Sequence, residues 1–573
     1  MNAADSRTAY CAVACDRNAM IDSAASLFDG GSGLALGYAI TAVPMVTGMV
    51  RNGAPWQRLL AAPLYSLPVT VAAVAGFSFA SSLSASMGGL VSTGLGAAAS
   101  MGVGYLSGRL LARPRSDKAE HRRGTVVNEA SVDSTQPGFR RGGHAREAGI
   151  TIAGVPVPER DETKHFKIIG TTGTGKSTAI TEILTAALAR GDRAVIADPD
   201  GGYARRFFNP ERGDVILNPF EANSRKWDLF GEIHTPYDAE QLARSLIPDH
   251  EGSDRSWRGY ARTFFTAVTR RAHEAGVDDV GQLHRLLAHA PPSELRALLA
   301  GTAAQPFLEE HNSRMFDSLR SVTSSAVTAL EYIGEQSQEK FSIRNWTADA
   351  GPDGKRQGVL FIPYKAGQIA ALSSQISAWM RLSMFEAMNQ PEKQPGSEGR
   401  LWFVIDELDA VGQIDGLKDA LARLRKFGGR CVLGFQSIAQ VSTTYGHGEA
   451  HTIVENCANS LILRSSASEG GGTARFASSL IGDREVLRTT RSRSRRPLDV
   501  LGVKTKSEQI AVEAAVMPSE IEQLADLAGF LKVASRPEWL RVRLTPIREA
   551  TATRERDATH QASRSRGMDG HEL

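Results

Sequence analysis

Between positions 30 and 108 the chain is nearly without charge. Gly30 to Val50 carries none, Leu59 to Gly108 carries none, and only Arg51 and Arg58 stand between the two runs. A helix crossing a bilayer needs about 20 apolar residues. The first run therefore predicts one span, and the second has the length for two, over 59–80 and 87–106, the last of them rich in Gly, Ala and Ser. Arg109, Arg113, Arg115, Lys118, Arg122 and Arg123 follow, which places the rest of the chain on the cytoplasmic side. With three spans, Arg51 and Arg58 are cytoplasmic and the N-terminus lies outside; with two, these arginines lie outside, against the same rule. Residues 1–29 lack the basic start of a cleaved leader, and 111–148, polar and without period, read as a linker.

From 149 onward short apolar runs alternate with helical periods. His165 to Ile169 predicts a strand, and Ala179 to Arg190 a helix with Ile180, Ile183, Leu184, Ala187 and Leu188 on one face. Arg193 to Asp198, Asp214 to Phe220, Leu401 to Ile405 and Arg430 to Ser437 predict further strands. Gly416 to Lys426 predicts a helix, and His451 to Leu463 a helix followed by a strand. Such alternation predicts an α/β fold with a mostly parallel sheet covered on both faces. Between 236 and 349 the period is helical throughout, with Trp257, Tyr260, Phe264, Phe265 and Val268 on one packed face. The expected organisation is a sheet domain made of 149–235 and 350–548, an inserted all-α domain over 236–349, and a disordered polar tail over 549–573.

Composition changes little. A net charge of +3 on 573 residues does not by itself call for a nucleic-acid partner, so any basic surface is local. Arg244, Arg255, Arg258, Arg262, Arg270 and Arg271 in the insertion could contact phosphates or could simply be solvated. The basic stretch Arg488, Arg491, Arg493, Arg495, Arg496, Lys504 and Lys506 has the same two readings, DNA contact or solvated loop. Cys11, Cys15, Cys431 and Cys457 are too few and too scattered for a disulfide framework or a zinc site.

The candidate chemistry begins at the strand 165–169. Gly170, Thr171, Thr172, Gly173, Thr174, Gly175, Lys176 and Ser177 match the phosphate-binding loop, with strand before and helix after as that loop requires. Glycines let successive backbone N–H groups turn inward on phosphate oxygens, Lys176 reaches the β- and γ-phosphates, Ser177 offers a hydroxyl to Mg²⁺, and Thr178 follows on the first helical turn. The strand at 401–405 ends in Asp406 and Glu407, the expected Mg²⁺ partner and the expected base for the attacking water. Gln436, at the end of another strand, could sense the γ-phosphate. Asp198 has two readings, an orienter of water or Mg²⁺ and a turn cap. Arg425 is the candidate arginine finger across a subunit boundary, against the alternative of a solvated charge.

Taken together, these segments resemble the type IV secretion coupling proteins. The resemblance is carried by Gly154 to Pro158 ahead of the phosphate loop, Asp198 to Gly202, Asp214 to Phe220, Asp406-Glu407-Leu408, Gly434 to Ser437, and Met517 to Leu531. It covers roughly 150–235 and 355–545. It implies a RecA-like P-loop ATPase, assembled as a homo-hexamer and anchored in the bacterial inner membrane, usually by two helices around a periplasmic loop, where this chain's uncharged length suits three. It further implies ATP and Mg²⁺ as ligands at Lys176, Ser177, Asp406, Glu407 and Gln436. The implied partners are DNA, single- or double-stranded, with a relaxase complex, and the components of a secretion channel. A chromosomal translocase of the FtsK/HerA kind, and a docking scaffold for effector proteins that binds nucleotide without turnover, stay open as alternatives. The absence of Leu-Ser-Gly-Gly-Gln and of Asn-Lys-x-Asp argues against an ABC transporter and a GTPase.

Overall fold

Ten strands build the principal sheet of this computed structural model, which describes residues 31–52, 54, 56–71, 89–111, 120–130, 149–249, 255–348, 358–392, 399–467, 472–494 and 503–546. In chain order they are β1 (Val127–Glu129), β2 (Phe166–Ile169), β3 (Arg193–Pro199), β4 (Val215–Ile216), β5 (Val359–Tyr364), β6 (Leu401–Ile405), β7 (Gly429–Phe435), β8 (Asn459–Leu463), β9 (Ala528–Lys532) and β10 (Trp539–Arg543). Their order across the sheet is β1-β10-β9-β8-β2-β7-β6-β3-β5-β4. From β8 to β4 every neighbouring pair is parallel, while β8–β9 and β9–β10 are antiparallel. Strands β2, β5, β6, β7 and β8 are buried at every position, as parallel strands under helices must be.

Most expected elements lie within a few residues of their sequence-based bounds, and three differ. The run at 214–220 keeps only two residues of strand. Residues 111–148 contribute β1, an edge strand of the sheet. Of the basic stretch, Arg488, Arg491, Arg493, Lys504 and Lys506 fall in two long strands, Asp483–Ser494 and Val503–Ala514, within a separate three-stranded sheet that includes Glu120–Gly124. Arg495 and Arg496 lie outside the described residues, as do 1–30, 72–88 and the tail from 547.

The insertion is closed off by a short parallel ladder, Lys226–Trp227 against Lys340–Phe341. Within it Phe264, Phe265 and Val268 are fully buried as expected, whereas Tyr260 is 41% exposed and packs edge-on to Trp257 and Phe307. Several of its arginines are tied down locally, Arg262 to Asp249, Arg271 to Glu274, and Arg258 to the Pro248 carbonyl.

The chain divides into two compact units, and the whole principal sheet lies in the larger, 123–484 with 512–573. The other unit contains α1 (Gly31–Arg51) and α2 (Gly89–Leu111). These two helices meet backbone to backbone. A Cβ at Gly104 would come within 2.4 Å of the Thr41 carbonyl oxygen, and one at Gly108 within 2.1 Å of the Met45 oxygen. Contacts advance by four residues along both helices, so α1 and α2 run parallel, on small residues that permit the approach. Among the described residues no helix is long and apolar enough to cross a membrane.

Candidate functional site

Strand order explains how the site is assembled. In the sequence the phosphate loop and the Asp406-Glu407 pair are more than two hundred residues apart. In the sheet β7 alone separates β2, which feeds the loop, from β6, which ends in the acids. Register brings Phe435 beside Ile169, and Ile405 beside both Leu433 and Ala197. The residues just past these strand ends therefore converge at one edge, outside the carboxyl ends of parallel strands, where such sheets bind ligands.

The loop itself is held from two sides. The Thr171 amide donates to the Arg464 carbonyl at 2.9 Å, and the Leu527 amide donates to the Thr174 carbonyl at 3.0 Å. Gly173 and Gly175 adopt φ of 78° and 115°, a backbone that disfavours a side chain. At Gly170 the obstacle is space, since a Cβ would lie 2.7 Å from Thr174 Oγ1 and 2.8 Å from Leu463 Cβ. Lys176 opens the helix α3 (Lys176–Ala189) and folds back, its ammonium donating to the Gly170 and Thr171 carbonyls at 2.8 and 3.3 Å. Burial lowers its pKa, while Asp406, Glu407 and Asp409 act in the opposite sense. A buried ammonium at the mouth of the loop is suited to receive phosphate.

Ser177 Oγ, on the first turn of the same helix, donates to Asp406 Oδ2 at 2.7 Å. Tyr203 Oη donates to that oxygen too, at 2.8 Å. Asp406 Oδ1, buried with the rest of this 4%-exposed residue, has no partner among the described residues. An acceptor with no donor inside a dense polar cluster is the signature expected of a carboxylate shaped for a cation, and with the Ser177 hydroxyl it makes a donor set suited to Mg²⁺.

Gln436 lies between the two motifs, as β7 dictates. Its Nε2 donates to Glu407 Oε1, and its Oε1 accepts from Thr172 Oγ1 at 2.9 Å. A single amide thus links the acid expected to activate water with the phosphate loop.

Asp198 is resolved as a cap. Its two carboxylate oxygens accept from the Tyr203 and Ala204 amides at 3.1 and 2.7 Å, at the start of α4 (Gly202–Phe207). The chain reaches that helix through Asp200 and Gly201, both left-handed at φ 58° and 67°. Burial raises the Asp198 carboxyl to about 6 despite those two amides. Burial, reinforced by the Asp406 charge, likewise pushes the Tyr203 hydroxyl well above its usual range, so it stays a donor.

Arg425 is not part of this cluster. It is exposed on a turn, Leu424–Phe427, immediately before β7 begins, whereas the site lies beyond the end of β7. Seven residues of strand separate the two edges by about 20 Å at roughly 3.3 Å per residue. Within one chain it cannot reach its own phosphate loop.

Three site residues escaped the sequence reading. Tyr203 follows the Asp198–Gly202 segment, and the capping aspartate was the available signal. Asp409, three residues after Asp406, is half-buried with its carboxyl pKa raised by burial. Tyr364, at the end of β5, is buried beside the acids, and its hydroxyl has no partner among the described residues.

Comparison with known proteins places this site in context. The family described as the type IV secretion-system coupling protein DNA-binding domain matches residues 149–545. The coupling protein TraD of Escherichia coli (strain K12) is 30% identical over 388 residues, 67% of this chain. This chain spans about half of that relative's length, 53%. The solved bacterial conjugative coupling protein TrwBdeltaN70, unbound, is 31% identical with a TM-score of 0.63, covering 70% of this chain and 89% of that one. The plasmid coupling protein TrwB in complex with ADP and Mg²⁺ is 30% identical with a TM-score of 0.61, covering 72% and 91%.

Proposed function

This chain belongs to the type IV secretion-system coupling proteins, and from that premise we propose that it is a membrane-anchored, Mg²⁺-dependent ATPase that drives a DNA–relaxase complex into a conjugation channel. The observation that carries the proposal is the convergence of Lys176, Ser177, Asp406, Glu407 and Gln436 at one edge of the sheet. That TrwB, a solved relative, forms a complex with ADP and Mg²⁺ supports the same ligands here.

In this reading the loop amides and Lys176 bind the β- and γ-phosphates of ATP. Ser177 and Asp406 hold Mg²⁺, which when bound neutralises charge on the phosphate oxygens. Glu407 takes a proton from the attacking water, and Gln436 keeps that carboxylate facing the loop. Arg425, at the opposite edge of the sheet, acts as a finger only in a ring where one subunit's far edge meets its neighbour's site, as in the proposed hexamer.

Anchoring in the inner membrane is supported by the uncharged runs at 30–50 and 59–108. Although neither α1 nor α2 is apolar enough to cross on its own, their parallel packing fits an arrangement of three crossings better than one of two. A chain leaving the end of α1 must travel back a helix length before entering α2. The Arg58 guanidinium, which donates to the Leu111 carbonyl at 2.7 Å, then shares the cytoplasmic side with the arginines after α2.

The test is ATP hydrolysis by the full-length chain in detergent, with and without single-stranded DNA, beside Lys176→Ala. Turnover stimulated by DNA and lost in the variant is expected. Turnover indifferent to DNA would move the cargo towards protein, and no turnover by a folded, assembled protein would favour the docking scaffold.

A further inference from the structure

We propose that Tyr203 is the positioning residue that aims Asp406 at Mg²⁺, and that Asp198 serves the metal only by holding Tyr203 in place. The proposal deepens the nucleotide-hydrolysing reading above and rests on it.

The geometry forms a chain of three links. Asp198, at the end of β3, fixes the first turn of α4 through two amide hydrogen bonds, one of them from Tyr203 itself. Tyr203, 5% exposed, has its ring packed in the core beneath α3 and the sheet, so its hydroxyl has little freedom. That hydroxyl donates to Asp406 Oδ2 at 2.8 Å. A carboxylate held at one oxygen by a rigid donor cannot rotate freely, and the other oxygen, Oδ1, is the one without a partner among the described residues.

Ser177 is the second donor on Oδ2, at 2.7 Å. A hydroxyl that ligates Mg²⁺ gives the cation a lone pair and keeps its O–H for Asp406, so the position of this donor follows the metal. Tyr203 is the donor on the carboxylate whose position is set by packing in the core. Asp198 has both oxygens engaged by backbone, which leaves it poorly placed to ligate a cation as well.

Tyr203→Phe keeps the ring and removes only the hydroxyl. The measurement is Mn²⁺ binding to the full-length protein carrying a non-hydrolysable ATP analogue, read by electron paramagnetic resonance, with Mg²⁺ as competitor. The expected result is metal affinity about 10- to 100-fold weaker, the range for loss of such an outer partner. Nucleotide affinity in EDTA should be unchanged, and turnover should fall at limiting Mg²⁺ and recover as Mg²⁺ is raised. Asp198→Asn, which retains one acceptor for the helix amides, should weaken the metal less than Tyr203→Phe; the reverse order would make Asp198 a ligand and overturn the proposal. Metal affinity within twofold of wild type in Tyr203→Phe overturns it too, and leaves the hydrolysis reading intact. A wild-type chain that binds nucleotide without any metal dependence overturns both.

Discussion

Gly434 is the position at which a single methyl group should do most harm to this site. It lies in β7, one residue before Phe435, where the strand passes the end of β6. A Cβ there would lie 2.3 Å from the Asp406 carbonyl oxygen and 3.0 Å from its carbonyl carbon. Ordinary carbon–oxygen contacts lie at about 3.3–3.6 Å, so in Gly434→Ala the two strands must part by about 1 Å at Asp406. The obstacle is backbone on both sides, and no rotamer change relieves it. The hydrogen bond from the Leu408 amide to the Gly434 carbonyl, 2.9 Å, spans the same gap and is stretched or lost. Overpacking of this kind costs about 1–3 kcal/mol, and the lost bond about 1 kcal/mol more. Displacing Asp406 by about 1 Å is expected to lower turnover by about 100-fold. Thermal unfolding and ATPase rate against Mg²⁺ concentration, on wild type and Gly434→Ala, read both effects. A variant that melts with wild type and turns over within twofold of it would refute the argument that strand spacing sets the acid.

Two further outcomes concern stability at the opposite edge of the sheet. His165, in a left-handed turn at φ 57°, is buried and neutral: Nδ1 accepts from the Cys431 amide at 3.1 Å, so Nε2 carries the proton facing the Leu421 carbonyl at 2.8 Å. Burial lowers its pKa to about 4, with Arg430 and Arg425 adding to the effect. The unfolded chain then binds more protons than the folded one between about pH 6.5 and 4, so this group's contribution is fully present above about 6.5 and falls by about 3 kcal/mol as pH drops through that window. Urea unfolding of wild type and His165→Gln across these pH values should give curves that converge on acidification; parallel curves would exclude the mechanism. Glu162, fully buried, accepts two bonds from Arg190 and one from Arg430, each at 2.7 Å. Glu162→Ala removes the carboxylate that the two guanidinium groups share, leaving Arg190 with Asp192 and Arg430 with the Gly428 carbonyl, and should cost about 3 kcal/mol in denaturant unfolding, the low end for a broken buried pair; a loss below about 1 kcal/mol would mean that water reaches the pair.

Local pattern was enough for the parts of this protein whose information is local. The glycines and Lys176 of the loop, the apolar run ending in Asp406 and Glu407, and the helical period of the insertion each declare themselves within a dozen residues, because side-chain periodicity and backbone sterics act over that range. The strands at 483–494 and 503–514 did not, since much of their length alternates charged residues with Ser and Thr, as in Arg491 to Ser494 and Lys504 to Ser507, and offers no apolar face to read. Pairing was the other blind spot. Gln436 was legible as a strand-end polar residue, but its place between Glu407 and Thr172 follows from β7 lying between β2 and β6, a matter of sheet order. The same holds for Tyr203, whose role depends on Asp406 more than two hundred residues away, and for Arg425, which only the direction of β7 removes from its own chain's site. The parallel run of α1 and α2 is likewise a product of packing, decided by carbonyls of one helix meeting glycines of the other. Sequence determined which groups are present and on which local element; the tertiary structure decided which of them meet, because pairing energies belong to contacts that no short window of chain contains.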